Sequence, residues 1–169
     1  MKKTIWLFIC VIVALSLAGA TVAQTRKTII LIRHAEKDTS DPADQNPVLS
    51  AAGKDRAERV VKRIGKFHPG AVYSTDFKRT RATVEPLAQK RGKTVQIYDA
   101  SKPRDLIDVI MKSKTKRFVI VGHSNTVPPL VNMIAGKELF KNLDDSEYSV
   151  IWVIRMRDGK FSKLEILDY

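Results

Sequence analysis

The apolar positions of the chain fall into two kinds of run. Thr28 to Ile32 (TIILI), Ala71 to Tyr73, Thr94 to Tyr98 and Phe118 to Val121 (FVIV) are short and rich in β-branched residues, as strands covered on both faces require. Between them the spacing changes to that of helices. Ala57, Val60, Val61 and Ile64 recur at i, i+3, i+4 and i+7, with Ser50 as N-cap, and predict a helix to about Phe67 that Pro69-Gly70 ends. A second helical pattern runs from Phe77 to Lys90, where Pro86 is expected to kink or restart the helix, and Gly92 caps it. Pro103 suits the first turn of a third helix with Leu106, Val109 and Ile110 on its inner face. Val127, Leu130, Val131 and Ile134 mark a fourth, with Gly136 just past its end. Ser149 to Arg155 and Phe161 to Leu167 flank Asp158-Gly159, a β-hairpin signal. This alternation predicts an α/β fold: a three-layer sandwich with a mostly parallel sheet, helices on both faces and a C-terminal β-hairpin.

One further apolar run fits none of these elements. Lys2 and Lys3 precede Ile5 to Leu17, interrupted only by Ser16, and small residues follow from Ala18 to Ala23. That is the plan of a secretory signal peptide, residues 1–23, ahead of a domain over residues 24–169. Uncleaved, the same segment anchors the domain in a membrane; in both cases the domain lies outside the cytoplasm, in the periplasm or secreted. The only cysteine, Cys10, falls inside this segment and follows Ile9 rather than a small residue, which argues against a lipoprotein signal. The remaining domain has no cysteine, so a disulfide scaffold and a zinc finger are excluded. Net charge is +12 for the whole chain, and removing the leader leaves +10, so the basic excess belongs to the domain. Few aromatics interleave with the basic runs, so nucleic-acid binding is not expected. The Lys/Arg-rich helix from Lys54 to Lys66 is read as a solvated face.

Polar residues follow three of the apolar strands at once. They are Arg33-His34-Ala35-Glu36-Lys37 after the first strand, Ser74-Thr75 and then Arg79 after the second, and Gly122-His123-Ser124-Asn125 after the fourth. In a parallel sheet the carboxyl ends of the strands share one edge, so these segments are expected to line a single pocket. Two arginines there offer forked donors for phosphate oxygens and stay charged. A neutral imidazole nitrogen can attack phosphorus, and a second histidine, if protonated, can donate to another phosphoryl oxygen. Such a set performs phosphoryl transfer by positioning and charge, without a metal ion or other cofactor. A His34–His123 metal pair lacks the companion ligands of a zinc site. His68, in the Pro69-Gly70 turn, reads as structural or solvent-facing.

The segments Arg33-His34-Ala35-Glu36, Leu49-Ser50-Ala51-Ala52-Gly53, Tyr73 through Thr83 and Val121-Gly122-His123-Ser124 resemble, in this order, the motifs of the histidine phosphatase (phosphoglycerate mutase-like) superfamily. The resemblance spans essentially the whole of residues 24–169. It implies His34 as the phosphohistidine nucleophile, with Arg33, Arg79 and His123 forming the phosphate pocket. Arg79 rather than Arg81 takes that role because it stands five residues after Ser74 and four before Thr83. Two positions depart from related branches. Ser40 stands where many mutase-type members carry asparagine, and Ser124 stands where the acid phosphatase and phytase branch has aspartate. The mutase branch places its general acid just after the third strand, which makes Asp99 the first choice, with Glu36 and Asp38 in reserve.

The resemblance implies a phosphatase acting on a small-molecule or cell-envelope phosphomonoester, lipopolysaccharide core phosphates being one such class. Two alternatives are a mutase-like phosphotransferase and a catalytically silent binder of anionic surfaces. A membrane partner is expected only if the leader stays uncleaved. The pattern is silent on oligomeric state. The segments from Lys37 to Pro47 and from Lys137 to Glu147 are expected to form the rim of the site.

Overall fold

The structure, a computed structural model, describes residues 24–169. The expected leader, with Cys10, lies outside the described residues. The elements are β1 (Arg26–Arg33), α1 (Ala51–Gly65), β2 (Ala71–Ser74), α2 (Lys78–Lys90), β3 (Val95–Ile97), α3 (Pro103–Lys112), β4 (Arg117–Gly122), α4 (Val127–Ala135), β5 (Ile151–Arg157) and β6 (Lys160–Leu167). The six strands form one sheet in the order β3-β2-β4-β1-β5-β6. The first four in that order run parallel, and β5 and β6 add an antiparallel edge.

Alternation along β1 explains the three layers. Ile29 and Leu31 face one side and pack with Leu106 and Ile110 of α3 and with Leu130, Val131 and Ile134 of α4. Ile30 and Ile32 face the other side and pack with Val60, Val61 and Ile64 of α1 and with Val84 and Leu87 of α2. All four β1 residues are inaccessible to solvent, so each strand position contributes burial to one layer or the other. Ser50 caps α1, its Oγ accepting from Gly53 N at 3.1 Å. Gly136 closes α4 in the left-handed conformation (φ 66°), which glycine adopts without a Cβ penalty. Positive φ at both Asp158 (50°) and Gly159 (74°) matches the tight turn expected between β5 and β6.

Three expectations about elements change. Pro86 does not interrupt α2, which runs unbroken from Lys78 to Lys90. Val84 on one side of the proline and Leu87 and Ala88 on the other are buried in the same layer, and that packing holds the helix across the missing N–H. Val109 is 52% exposed rather than on the inner face of α3. At 100° per residue the buried stripe is centred between Leu106, Ile110 and the partly buried Ile107, which places Val109 on its far flank. The third strand is shorter than expected, because at the sheet edge it pairs with β2 alone.

Candidate active site

Strand register brings the three polar segments together. Arg33 lies opposite Gly122 in the β1–β4 pair, and Ser74 lies opposite Val121 in the β2–β4 pair. The chain leaves all three strands at nearly the same level, and His34 N donates to Gly122 O at 2.9 Å just beyond the last rung. A cavity of about 1030 Å³ opens over this edge, lined by Arg33, His34, Arg79, His123 and Asp99 among others.

His34 is 4% exposed. Its Nδ1 lies 2.8 Å from the Ala35 carbonyl, which can only accept, so the ring proton is assigned to Nδ1 and Nε2 carries the lone pair. Arg79 Nε donates to that Nε2 at 3.3 Å. The main chain around the ring is also fixed: Ala35 N donates to Thr83 Oγ1 (2.9 Å), and Thr83 Oγ1 donates to Arg79 O (2.7 Å), so one buried threonine ties the histidine loop to α2. The His34 and His123 rings meet edge to face at 5.3 Å. Thr75 Oγ1 sits 3.0 Å from His123 Nε2 and fixes that ring. A Cβ on Gly122 would meet the side chains of Val127 and Thr126 and the Tyr98 hydroxyl within 3 Å, so this position must be bare for the His123 loop to turn.

Both imidazoles are neutral at pH 7. Burial depresses the His34 pKa to about 3; the Ala35 bond opposes the shift, and the positive charges of Arg79 and Arg33 add to it. Burial, then Arg79 and Arg33, brings His123 to about 4. A neutral His34 is the state in which Nε2 can act as a nucleophile. The arrival of a dianion raises the His123 pKa, because its proton then finds an acceptor of opposite charge. Nitrogen-detected NMR of the histidine rings checks this. Neither ring should titrate above pH 5 in the free protein, and the His123 midpoint should rise by more than one unit with orthovanadate bound. The unfolded chain binds the ring protons near pH 6.5 and the folded chain does not, so their contribution to stability is complete above about pH 6.5 and falls away as pH drops toward 4 and 3.

The arginines differ in what they already hold. Arg33 Nη1 donates to the carbonyls of Asp144 (2.8 Å), Asp145 (3.1 Å) and Glu147 (2.9 Å), pinning that loop over the site. Its guanidinium also lies 4.0 Å from the centroid of the Tyr148 ring. Arg33 Nε and Arg79 Nη1 are buried without any hydrogen-bond partner. Orphaned donors of charged groups are rare in folded proteins, because each forfeits its hydration. Here two of them border one cavity beside a neutral imidazole.

Of the three candidate carboxylates only Asp99 lines the cavity. Glu36 does not line the cavity: both of its oxygens take Arg56 Nε at 2.9 Å, and Oε1 also takes Nη2 at 2.6 Å, an ion pair that holds Glu36 ionised. Asp38 also lies outside it, with its Oδ1 accepting from Ser40 N at 2.9 Å. Asp99 does line the cavity, but its Oδ1 accepts from Ser101 Oγ (2.7 Å) and Ser101 N (2.9 Å), which holds its pKa below the usual carboxylate range. Asp99 is thus the one of the three candidate acids that reaches the cavity, and Ser101 holds its side chain there. Of the segment from Lys137 to Glu147 only Asp145 lines the cavity, since Leu139 and Phe140 fold back onto Asn132 Oδ1, both at 3.0 Å. Tyr148 and the wall from Ile97 to Ser101 take its place. Among the described residues no three His, Cys, Asp or Glu side chains are grouped to hold a metal.

Residues 29–106 match the Histidine phosphatase superfamily (branch 1). The matched stretch holds the first three of the four ordered motifs and is similar to that superfamily, and the α/β fold agrees with it. Solved structures share the architecture at low identity. A protein described as a phosphohistidine phosphatase SixA, from Agrobacterium tumefaciens, is 19% identical over 82% of this chain and 97% of that one, with a TM-score of 0.63. A protein histidine phosphatase SixA complexed with tungstate is 12% identical over 83% and 96%, with a TM-score of 0.68. A mycobacterial glucosyl-3-phosphoglycerate phosphatase is 13% identical over 85% and 98%, with a TM-score of 0.66. No curated protein matches the chain.

Proposed function

We propose that the protein is an exported phosphatase that hydrolyses phosphomonoesters through a phosphohistidine intermediate on His34. The observation that carries this reading is the pair of buried, partnerless donors, Arg33 Nε and Arg79 Nη1, beside the unprotonated Nε2 of His34. A phosphoryl group supplies what both donors lack. Its oxygens accept from Arg33 Nε and from the Arg79 fork, drawing Arg79 Nε away from His34 Nε2 and freeing that lone pair. His34 Nε2 then attacks phosphorus in line, the bond from phosphorus to the leaving oxygen breaks, and the loose transition state spreads its charge toward the two guanidiniums and the His123 ring.

Water then attacks the phospho-His34 phosphorus, the P–N bond breaks, and inorganic phosphate leaves with His34 neutral again. The leaving oxygen takes its proton from water in the open cavity or from Asp99 on its wall. Export rests on the Ile5–Leu17 run and the small residues behind it. The likeness to a fold that holds tungstate, a tetrahedral oxyanion, agrees with this reading.

Brief exposure to a ³²P-labelled phosphomonoester tests the intermediate. Acid-labile, base-stable label should appear on the wild-type chain and be absent from His34→Ala. Saturable binding with neither label nor released phosphate would instead identify a silent anion binder.

A further inference from the structure

The inference concerns the leaving-group end of the cavity and rests on the proposed phosphatase reading. The chain outside the leader carries +10, yet the charged residues lining the cavity beyond the two pocket arginines are Asp76, Asp99, Asp145 and a single lysine, Lys37. Asp76 is paired with Arg81 Nη1 at 3.0 Å. The other two carboxylates remain available. Asp99 accepts from Ser101 through Oδ1, and the one cation beside it is the amine of Lys102, 3.9 Å from Oδ2 between groups that are both more than half exposed. The Asp145 side chain is fully exposed, and its one ion pair among the described residues is with Arg33 Nη2 at 3.7 Å.

Asp145 therefore stands within one guanidinium width of the partnerless Arg33 Nε, on a side chain that is itself 5% exposed. A carboxylate there repels the phosphate it adjoins, and its one ion pair among the described residues is the long contact to Arg33. The loop is held through the backbone carbonyls of Asp144, Asp145 and Glu147, not through the Asp145 side chain. In-line attack by His34 sends the leaving group away from the pocket floor toward the mouth, where Asp99 on the β3–α3 loop and Asp145 on the loop before β5 both reach the cavity.

We propose that Asp145, with Asp99, selects phosphorylated substrates whose leaving group carries a positive charge. A phosphoamino alcohol or a phosphoryl group beside an ammonium is the chemical class that answers both the two donors on the floor and the two carboxylates at the mouth.

Three compact substrates of matched size test it: O-phosphoethanolamine, ethylene glycol monophosphate and phosphoglycolate, whose leaving groups are cationic, neutral and anionic. At low ionic strength kcat/KM should fall in that order, by roughly tenfold from first to last, since an exposed charge pair contributes up to about fivefold. The spread should shrink toward unity in roughly 0.5 M salt. The Asp99→Asn/Asp145→Asn variant should move the two ends in opposite directions, slowing phosphoethanolamine and accelerating phosphoglycolate. Structural damage would slow both, and intrinsic leaving ability would survive the substitutions. A flat or reversed order with phosphate released from all three, or an order that the variant leaves intact, would overturn the selection while sparing the phosphatase. No release from any substrate together with no label on His34 would remove the phosphatase reading itself. Turnover of aryl phosphates alone, with none of the three accepted, would also overturn the selection.

Discussion

Replacing Arg79 by alanine is expected to lower kcat/KM for any phosphomonoester by two to three orders of magnitude, with the melting temperature within a few degrees of wild type. The side chain contributes little to the fold. Its guanidinium makes one hydrogen bond, to His34 Nε2 at 3.3 Å, lies 4.5 Å from the centroid of the Phe77 ring, and keeps Nη1 buried without a partner. Burial lowers the Arg79 pKa, the signature of a charge held at a cost in the empty site. That cost is recovered only when an anion arrives, so removing the group deprives the transition state and not the resting protein. Loss of one preorganised donor to a developing oxyanion typically lowers rates by about 10² to 10³. His34 should stay neutral in the variant, because burial rather than Arg79 is the leading cause of its depressed pKa. Arg79→Lys should recover only part of the loss, since a point charge cannot reproduce a fork. Steady-state kinetics with a thermal melt on the same samples decides the matter, and full turnover in Arg79→Ala would remove this residue from the phosphate site.

The contrast between Arg79 and Arg33 shows where sequence reading reaches its limit. Both arginines are found by the same logic, a fork of donors just beyond a buried strand, and both line the cavity. Their difference is invisible in the sequence, because it depends on a loop more than a hundred residues downstream: Arg33 Nη1 is committed to the carbonyls of Asp144, Asp145 and Glu147. Backbone carbonyls carry no sequence signature. Tyr148, which stacks on Arg33, escapes notice for the same reason. The fold itself was open to reading because each buried strand is a continuous β-branched run and each helix has a regular stripe. Parallel pairing then forces Arg33, Ser74 and Gly122 to one level. Nearness to His34 in the sequence does not place a carboxylate in the cavity. Glu36 is two residues from His34, yet the chain turns there, and the carboxylate meets Arg56 of α1 instead of the cavity. Arg56 belongs to a helix whose basic residues read as a solvated face, and only its i+3 and i+4 relation to the buried Gly53 and Val60 hints that it sits at the boundary.

Gly53 is the point at which this contact between α1 and the His34 loop is most sensitive. A Cβ built on Gly53 would lie 2.1 Å from the carbonyl oxygen of Glu36, with the Glu36 carbon and nitrogen at 3.0 and 3.1 Å. Those are backbone atoms, so no side chain can swing aside, and either α1 or the loop must move. The same Glu36 carbonyl accepts from Ser50 N at 3.0 Å and lies 3.3 Å from Ser50 Oγ, so backing the helix away also breaks the bonds that start it. Gly53→Ala is therefore expected to destabilise the fold by about 3 kcal/mol, the upper end for overpacking, even though alanine is the better helix former by about 1 kcal/mol. For a domain of this size that is a fall in melting temperature of roughly 10 °C. Turnover below the transition should fall further than the stability loss explains, because the loop that must yield carries His34 and Ala35, and a shift there weakens the Ala35–Thr83 bond that holds the His34 loop. Gly53→Ala as stable as wild type would mean that the loop yields without strain. Normal kcat in a destabilised variant would mean that the movement is taken up by α1 rather than by the segment that carries His34.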